Sequence, residues 1–394
     1  MANKKDWKTK LIHSDARVPE GFRSLVTPVY RGSTTLFAAA ADASDHWNQY
    51  EVGYTYGLYG TPTTLELAAR VCELEGGFRT IITPGGQSAI SLIHLALLKQ
   101  GDHVLLPESI YGPNRMFSNN VLRRFGVEVT YYAPSIGAGI SAEMRPNTRL
   151  VWCESPGSVT MEVQDVPAIA AAAHKHGAAH RNGALVVIDN TWAAGIYFDA
   201  FAHGVDVTMQ ALTKYIGGHS DLLLGSVTVR DPQLFENLGE THQGLGFAAS
   251  PDDCSLALRG MQTMAVRLKA VEQSAFELAQ WLGQRPEIEL VLHPALPSCP
   301  GHDLWRRDFT GSSGLFSIVF RQHFSKKQIH GFVDALELFE IGYSWGGVTS
   351  LAMSYDLNSP KRPAYAHRLV RLYTGLEAVD DLKADVVQAL AHMA

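Results

Sequence analysis

Residues 183–195 read "GALVVIDNTWAAG", and residues 205–218 read "VDVTMQALTKYIGG". Each is a short run rich in Val, Ile or Met that closes on a polar stretch, the first at Asp189 and the second near Lys214. Similar runs stand upstream: "TIIT" at 80–83, "HVLLP" at 103–107, "VEVTYY" at 127–132 and "TRLVWCE" at 148–154. Between them lie stretches with helical spacing over 63–74, 84–101, about 113–125 and 165–176. Short apolar strands separated by helices predict βαβ units and a mainly parallel sheet, an α/β fold. The glycine pairs at 76–77 and 85–86 close one helix and open the next.

Outward from this centre the character changes twice. Residues 1–60 are rich in turn-forming and aromatic residues, with an extended piece "SLVTPVYRGSTTLF", and read as an arm lying across another surface. Residues 61–255 carry the α/β domain. Residues 256–394 open on a long amphipathic helix, "CSLALRGMQTMAVRLKAVEQSAFELAQWLGQ", and continue with mixed strands and helices, including helices near 326–339 and from about 377, as a smaller α+β domain.

With 33 basic and 39 acidic residues among 394 the net charge is −6, and no extended basic run points to nucleic acid or a lipid surface. The four cysteines form no C-x-x-C pair, which suits a reducing compartment. No apolar run reaches the roughly 20 residues of a membrane span, and no apolar segment follows the basic N-terminus; the cytoplasm is the expected location.

Ligands of open α/β sheets collect beyond the carboxyl ends of the strands. Three stretches meet that rule. "TPGGQSAI" (83–90) is a strand, a glycine turn and a helix start, whose free N–H groups suit an anion; the pattern is neither G-x-G-x-x-G nor a P-loop, so alone it is equally a tight turn. Asp189 ends an apolar strand, where a carboxylate caps a turn or meets a cation. Lys214 follows 25 residues on; most lysines are solvated, but a desolvated one carries the neutral amine that condenses with an aldehyde. Together the three suggest pyridoxal 5'-phosphate: Gly86, Gln87 and Thr213 for the phosphate, Asp189 for the pyridine nitrogen, Lys214 for the aldehyde. Tyr111, after "HVLLPESIYG", offers a face to stack on the ring, and is equally an ordinary core or surface tyrosine.

"VIDNTWAAG" followed by "ALTKYIGGHSDLLLGS" resembles the lysine signature of the Cys/Met-metabolism family of pyridoxal-phosphate enzymes. "CELEGG", "QGDHVL", "ESPGSVTMEVQDVPAI", "HPALP", "RRDFTGSSGLFS", "YSWGG" and "GLEAVDDL" extend the similarity over nearly the whole chain, toward its β-lyase branch. The resemblance implies fold type I with a seven-stranded sheet, and a homotetramer built as a dimer of dimers with each active site shared between subunits. It implies catalytic roles for Lys214 and Tyr111, and Tyr56 reaching the phosphate of a neighbouring subunit. Arg371 in "VRLYTGLE" would clamp the substrate carboxylate, with Ser344, Trp345 and Tyr59 shaping the substrate end. Leu58 departs from an arginine found in many relatives, and Ser158 agrees with the β-lyase branch. No metal is implied.

The implied activity is cleavage of L-cystathionine to homocysteine, pyruvate and ammonia in methionine biosynthesis. A broader cysteine-S-conjugate or cystine β-lyase, a γ-lyase or γ-synthase, and a catalytically silent regulator on the same fold are the competing readings.

Overall fold

A computed structural model describes residues 6–13, 24–176, 183–357 and 365–393. Within the expected arm, residues 1–5 and 14–23 therefore lie outside the described residues, as do 177–182 of the Ala-rich stretch.

Seven strands form the first sheet: β1 (Arg79–Thr83), β2 (His103–Pro107), β3 (Glu128–Tyr132), β4 (Thr148–Glu154), β5 (Leu185–Asp189), β6 (Val207–Ala211) and β7 (Gly225–Val229). Their spatial order is β1-β7-β6-β5-β4-β2-β3. Strands β2 to β6 run parallel, and β7 enters antiparallel between β6 and β1. The sheet is thus mainly parallel. Strand β7 escapes the sequence pattern because no helix separates it from β6. Both faces are covered, which is why Val186, Val187, Ile188 and Val207 are all fully buried without alternation.

The second sheet comprises β8 (Ile288–Leu292), β9 (Leu315–Phe320), β10 (Glu340–Ile341), β11 (Leu351–Leu357) and β12 (Ala366–Tyr373), in the order β10-β11-β12-β9-β8. The helix Pro251–Leu282 joins the two sheets. Its start is set by Ser250, whose hydroxyl accepts from the Asp253 amide, and by Asp252 and Asp253 at the positive end of the helix dipole. Cys254, Leu258, Met261, Met264, Leu268 and Val271 pack into a core that the first sheet shares with Leu315, Val319, Leu369 and Tyr373 of the second, and Ala275, Leu278, Ala279 and Leu282 into the second sheet's own core. The helix begins at Pro251, so the division expected at 255/256 falls inside it.

Two other expectations are shortened by local geometry. The helix expected over 113–125 is α-helical only over Gly112–Phe117 and continues as a π turn, Ser118–Leu122, and a 3-10 turn. The helix expected to 339 stops at Asp334, four residues before Leu338 and Phe339 take their amides to Asp385.

Candidate active site

The carboxyl ends of β4, β5 and β6 meet the loops of the second sheet, and the residues at that join form one cleft. Asp189 is the last residue of β5, registered against Glu154 at the end of β4. Its Oδ1 accepts from the Thr191 amide at 3.0 Å and from the Thr191 hydroxyl. Oδ2 has no hydrogen-bond partner among the described residues. Burial raises the proton affinity of this carboxyl, while the Thr191 donors and the charge of Lys214 lower it.

Lys214 lies three residues past the end of β6, in the turn "LTKYIGG". Its Nζ donates to the Ser344 hydroxyl at 2.8 Å and stands 5.3 Å from the Trp345 ring centroid. Burial, reinforced by the Arg371 cation and opposed by Asp189, brings its pKa down to about 8. Gly346 explains the glycine after Trp345: it has φ +90°, and a Cβ there would come within 2.9 Å of the Lys214 backbone. Only a residue without a side chain lets the second sheet's loop close this tightly on the lysine.

Arg371 sits in the middle of β12 at 5% exposure. Its guanidinium donates to the carbonyls of Ser158 and Tyr343 and lies 5.2 Å from the Tyr355 ring. Burial lowers its pKa, with the nearby tyrosines and Glu154 holding it up. No carboxylate lies within ion-pair distance of it among the described residues. A buried guanidinium fork with two carbonyls and an aromatic face, but no anion, is arranged to receive one.

Tyr111 is the residue before the helix Gly112–Phe117, and its amide donates to Glu154 Oε2 at 2.8 Å. The residue is 41% exposed, with Asp189, Glu154 and Arg371 all near enough to affect its ionisation. At the start of the helix Gly86–Leu97, the N–H groups of Gly86, Gln87 and Ser88 have no acceptor among the described residues. A Cβ on Gly86 would stand 2.8 Å from the Ala211 Cβ, so the glycine lets this helix end seat against β6. Thr213 is committed differently from expectation: its hydroxyl donates to the Leu224 carbonyl at 3.2 Å and accepts from the Leu224 amide at 3.1 Å. One lone pair of that oxygen is left for a further donor.

Tyr56, Leu58 and Tyr59 are elsewhere. They occupy the arm, where Gln49 Nε2 donates to the Tyr56 and Gly60 carbonyls at 3.0 and 3.1 Å and holds the turn. Tyr56 meets Tyr59 edge-on at 5.9 Å and is itself 42% exposed. The Tyr59 hydroxyl donates to Asp45 and accepts from Gln243, both at 2.8 Å. Leu58 lines a small cavity of about 40 Å³ with Trp47, Tyr50 and Phe235. No hydrogen bond or ring contact joins this turn to Lys214 within the chain, among the described residues.

Sequence reasoning passed over Glu154 and Tyr355. Glu154 ends "TRLVWCE" as Asp189 ends "LVVID", and that shared ending was the available signal. Tyr355 had none, since its role depends on β11 lying beside Arg371.

The residues fit pyridoxal phosphate part by part. The open helix start suits its phosphate, the free Asp189 oxygen its protonated ring nitrogen, and the easily deprotonated Lys214 amine its aldehyde.

Comparison with known proteins agrees. The family described as Cys/Met metabolism PLP-dependent enzymes matches residues 8–391. A putative cystathionine beta-lyase of Rhizobium johnstonii is 46% identical over 92% of this chain and 90% of that protein. The cystathionine beta-lyase MetC of Escherichia coli is 38% identical over the whole of both chains. The crystal structure of metB from Corynebacterium glutamicum superposes with a TM-score of 0.87 at 29% identity, covering 99% of each chain.

Proposed function

The chain belongs to the Cys/Met-metabolism family of PLP-dependent enzymes, and from that premise we propose that it is a carbon–sulfur β-lyase acting on L-cystathionine. With water, the substrate gives homocysteine, pyruvate and ammonia. The observation that carries this reading is the anion-seeking Arg371 in the same cleft as the Lys214 amine, with Trp345 beside the lysine.

When bound, pyridoxal phosphate supplies an aldehyde to the substrate amine and a protonated ring that accepts the electron pair released at Cα. The chain's own groups do the rest. Arg371 grips the α-carboxylate through its planar fork and fixes which Cα bond faces the ring. The Asp189 carboxylate keeps the ring nitrogen protonated, and a cation at Oδ2 offsets the burial that otherwise disfavours its charge. Lys214, neutral near its depressed pKa and oriented by Ser344, takes the α-proton. The sulfur then leaves from Cβ. Tyr111 supplies the stacking face, and the indole of Trp345, packed 5.4 Å from Tyr215, lines the cleft beside Lys214.

The test is product analysis with L-cystathionine and the cofactor-loaded enzyme. Pyruvate as the oxo-acid product is expected; 2-oxobutanoate in its place would show γ-elimination and overturn the reading.

The proposal includes a shared site. Leu25, Val26, Leu36 and Tyr54 are exposed on the arm, at 100%, 63%, 90% and 46%, and Tyr56 projects beside them. Covering them with a second copy, in a homotetramer formed as a dimer of dimers, would remove apolar surface from water and bring Tyr56 to a neighbour's phosphate. Among the described residues no helix is long and apolar enough to cross a membrane; we place the enzyme in the cytoplasm.

The depressed pKa of Lys214 has a measurable consequence. Only the neutral amine condenses with the aldehyde, so cofactor uptake by the cofactor-free protein should accelerate as pH rises and level off above about 8. Stopped-flow absorbance would show it, and a rate that climbs without a plateau to about pH 10.4, the ordinary lysine value, would mean that the cleft leaves Lys214 unshifted.

A further inference from the structure

On the face of the first sheet opposite the cleft lies a carboxylate that the mechanism does not use. Glu75, the last residue of the helix Pro62–Glu75, is 7% exposed. Its Oε1 accepts from the Thr208 hydroxyl at 3.0 Å and from Gln210 Nε2 at 2.9 Å. Those two side chains alternate along β6 with Met209 and Ala211, and the Ala211 side is the one that meets Gly86. Gly195, at φ +66°, closes over the group, where a Cβ would stand 2.4 Å from Gln210 Nε2 and 3.0 Å from Glu75 Cγ.

Two facts are hard to reconcile with an ionised side chain. No Lys, Arg or His lies within ion-pair distance of Glu75 among the described residues, and an unpaired buried charge is costly. Its second oxygen, Oε2, is buried without a hydrogen bond, and so is Asn190 Oδ1, although the side chains of Thr228 and Asn190 both stand beside this carboxyl. Asn190 Nδ2 is already committed to the Phe198 carbonyl at 3.2 Å, so turning the amide over would only set oxygen against oxygen. A single proton on Oε2, given to Asn190 Oδ1, would satisfy both orphans.

We infer that Glu75 is held as a neutral carboxylic acid, donating its proton to Asn190 while accepting from Thr208 and Gln210, and that it is a positioning residue locking β5 to β6. Asn190 directly follows Asp189, and its amide donates to the Met209 carbonyl at 2.9 Å; Gln210 stands four residues before Lys214. The lock thus sits under the two groups whose separation must match the cofactor. Burial, the largest influence on this carboxyl, raises its proton affinity and outweighs the Thr228, Thr208, Gln210 and Asn190 side chains, which lower it. The inference does not depend on the identity of the substrate.

The sign of the pH dependence follows. A carboxyl whose folded pKa is raised stabilises the fold fully below its unfolded value of about 4.3, and loses that contribution as pH climbs toward the folded value. Glutamine keeps the acceptor for Thr208 and Gln210, and its N–H replaces the proton toward Asn190, without any ionisation.

Thermal midpoints of the cofactor-loaded parent and Glu75→Gln should therefore be compared between about pH 5 and about pH 8. The variant is expected to melt several degrees higher at the upper end, with the difference shrinking as pH falls. Glu75→Leu, which leaves the Thr208 and Gln210 donors unmatched, should retain cofactor about tenfold less well in dialysis, and Glu75→Gln should restore retention. A carboxylic-acid carbonyl stretch at neutral pH, present in the parent's infrared spectrum and absent in Glu75→Gln, would report the proton directly. If Glu75→Gln melts lower than the parent at the upper pH, retains cofactor as poorly as Glu75→Leu, or leaves that infrared region unchanged, the neutral-acid assignment is overturned.

Discussion

Lys214→Ala should lose turnover by about 10⁴-fold or more and should no longer hold cofactor through a reduction-stable covalent bond, while its circular dichroism stays that of the parent. The fold should survive because the Lys214 amine contacts Ser344 and the face of Trp345 at the rim of the cleft, and the neighbouring core residues Leu212, Tyr215 and Ile216 are untouched. Lys214→Arg should be as inactive as the alanine variant. It keeps the charge near Ser344, yet a guanidinium stays protonated at every working pH and can neither condense with an aldehyde nor take a proton. Activity within tenfold of the parent in either variant would remove Lys214 from the chemistry.

Asp189→Asn should lower kcat by about 10²- to 10³-fold with the cofactor still retained. The substitution is close to isosteric. An asparagine Oδ1 can still accept from the Thr191 amide and hydroxyl, so the strand end keeps its turn. What changes is the second position, where a free oxygen facing the cleft becomes an N–H donor. The ring nitrogen would then be hydrogen-bonded in its unprotonated form, and the electron pair released at Cα would have a poorer acceptor. Rates near the parent's would mean that Asp189 is a structural cap and nothing more.

The parallel strands were legible because burial on both faces forces near-continuous Val, Ile and Leu, and because their polar last residues stand out. That is how Asp189 and the turn carrying Lys214 could be read directly. Arg371 could not. An arginine in "AHRLVRLY" reads as solvated, and the burial of Arg371 depends on β9 and β11 pairing on either side of β12, partners from two other parts of the chain. Only the family resemblance pointed to it. Strand β7 was missed for the opposite reason: "GSVTV" has the composition of a strand but no helix to announce it, and its antiparallel entry breaks the βαβ rhythm. Of the arm residues, Tyr56 was expected at a neighbour's phosphate and Tyr59 at the substrate end, and within one chain both lie apart from the cleft. No local pattern can encode a neighbour's surface.

The seating of Gly346 on the Lys214 backbone has a consequence for how this cleft could change its preferences. Lys214, Asp189, Tyr111 and the open helix start belong to the first sheet's framework, whereas Ser344, Trp345 and Arg371 arrive from the second. The half that grips the cofactor and the half that faces the substrate thus belong to different sheets, packed on a core that both share and spliced by one helix whose inner stripe passes to the second sheet's own core between Val271 and Ala275. A substitution in that splice, far from any reacting atom, could retilt Arg371 and Trp345 together while leaving Asp189 and the phosphate cradle in register. Substrate range in this chain can therefore drift through the joint between its two halves, with every residue of the cleft unchanged.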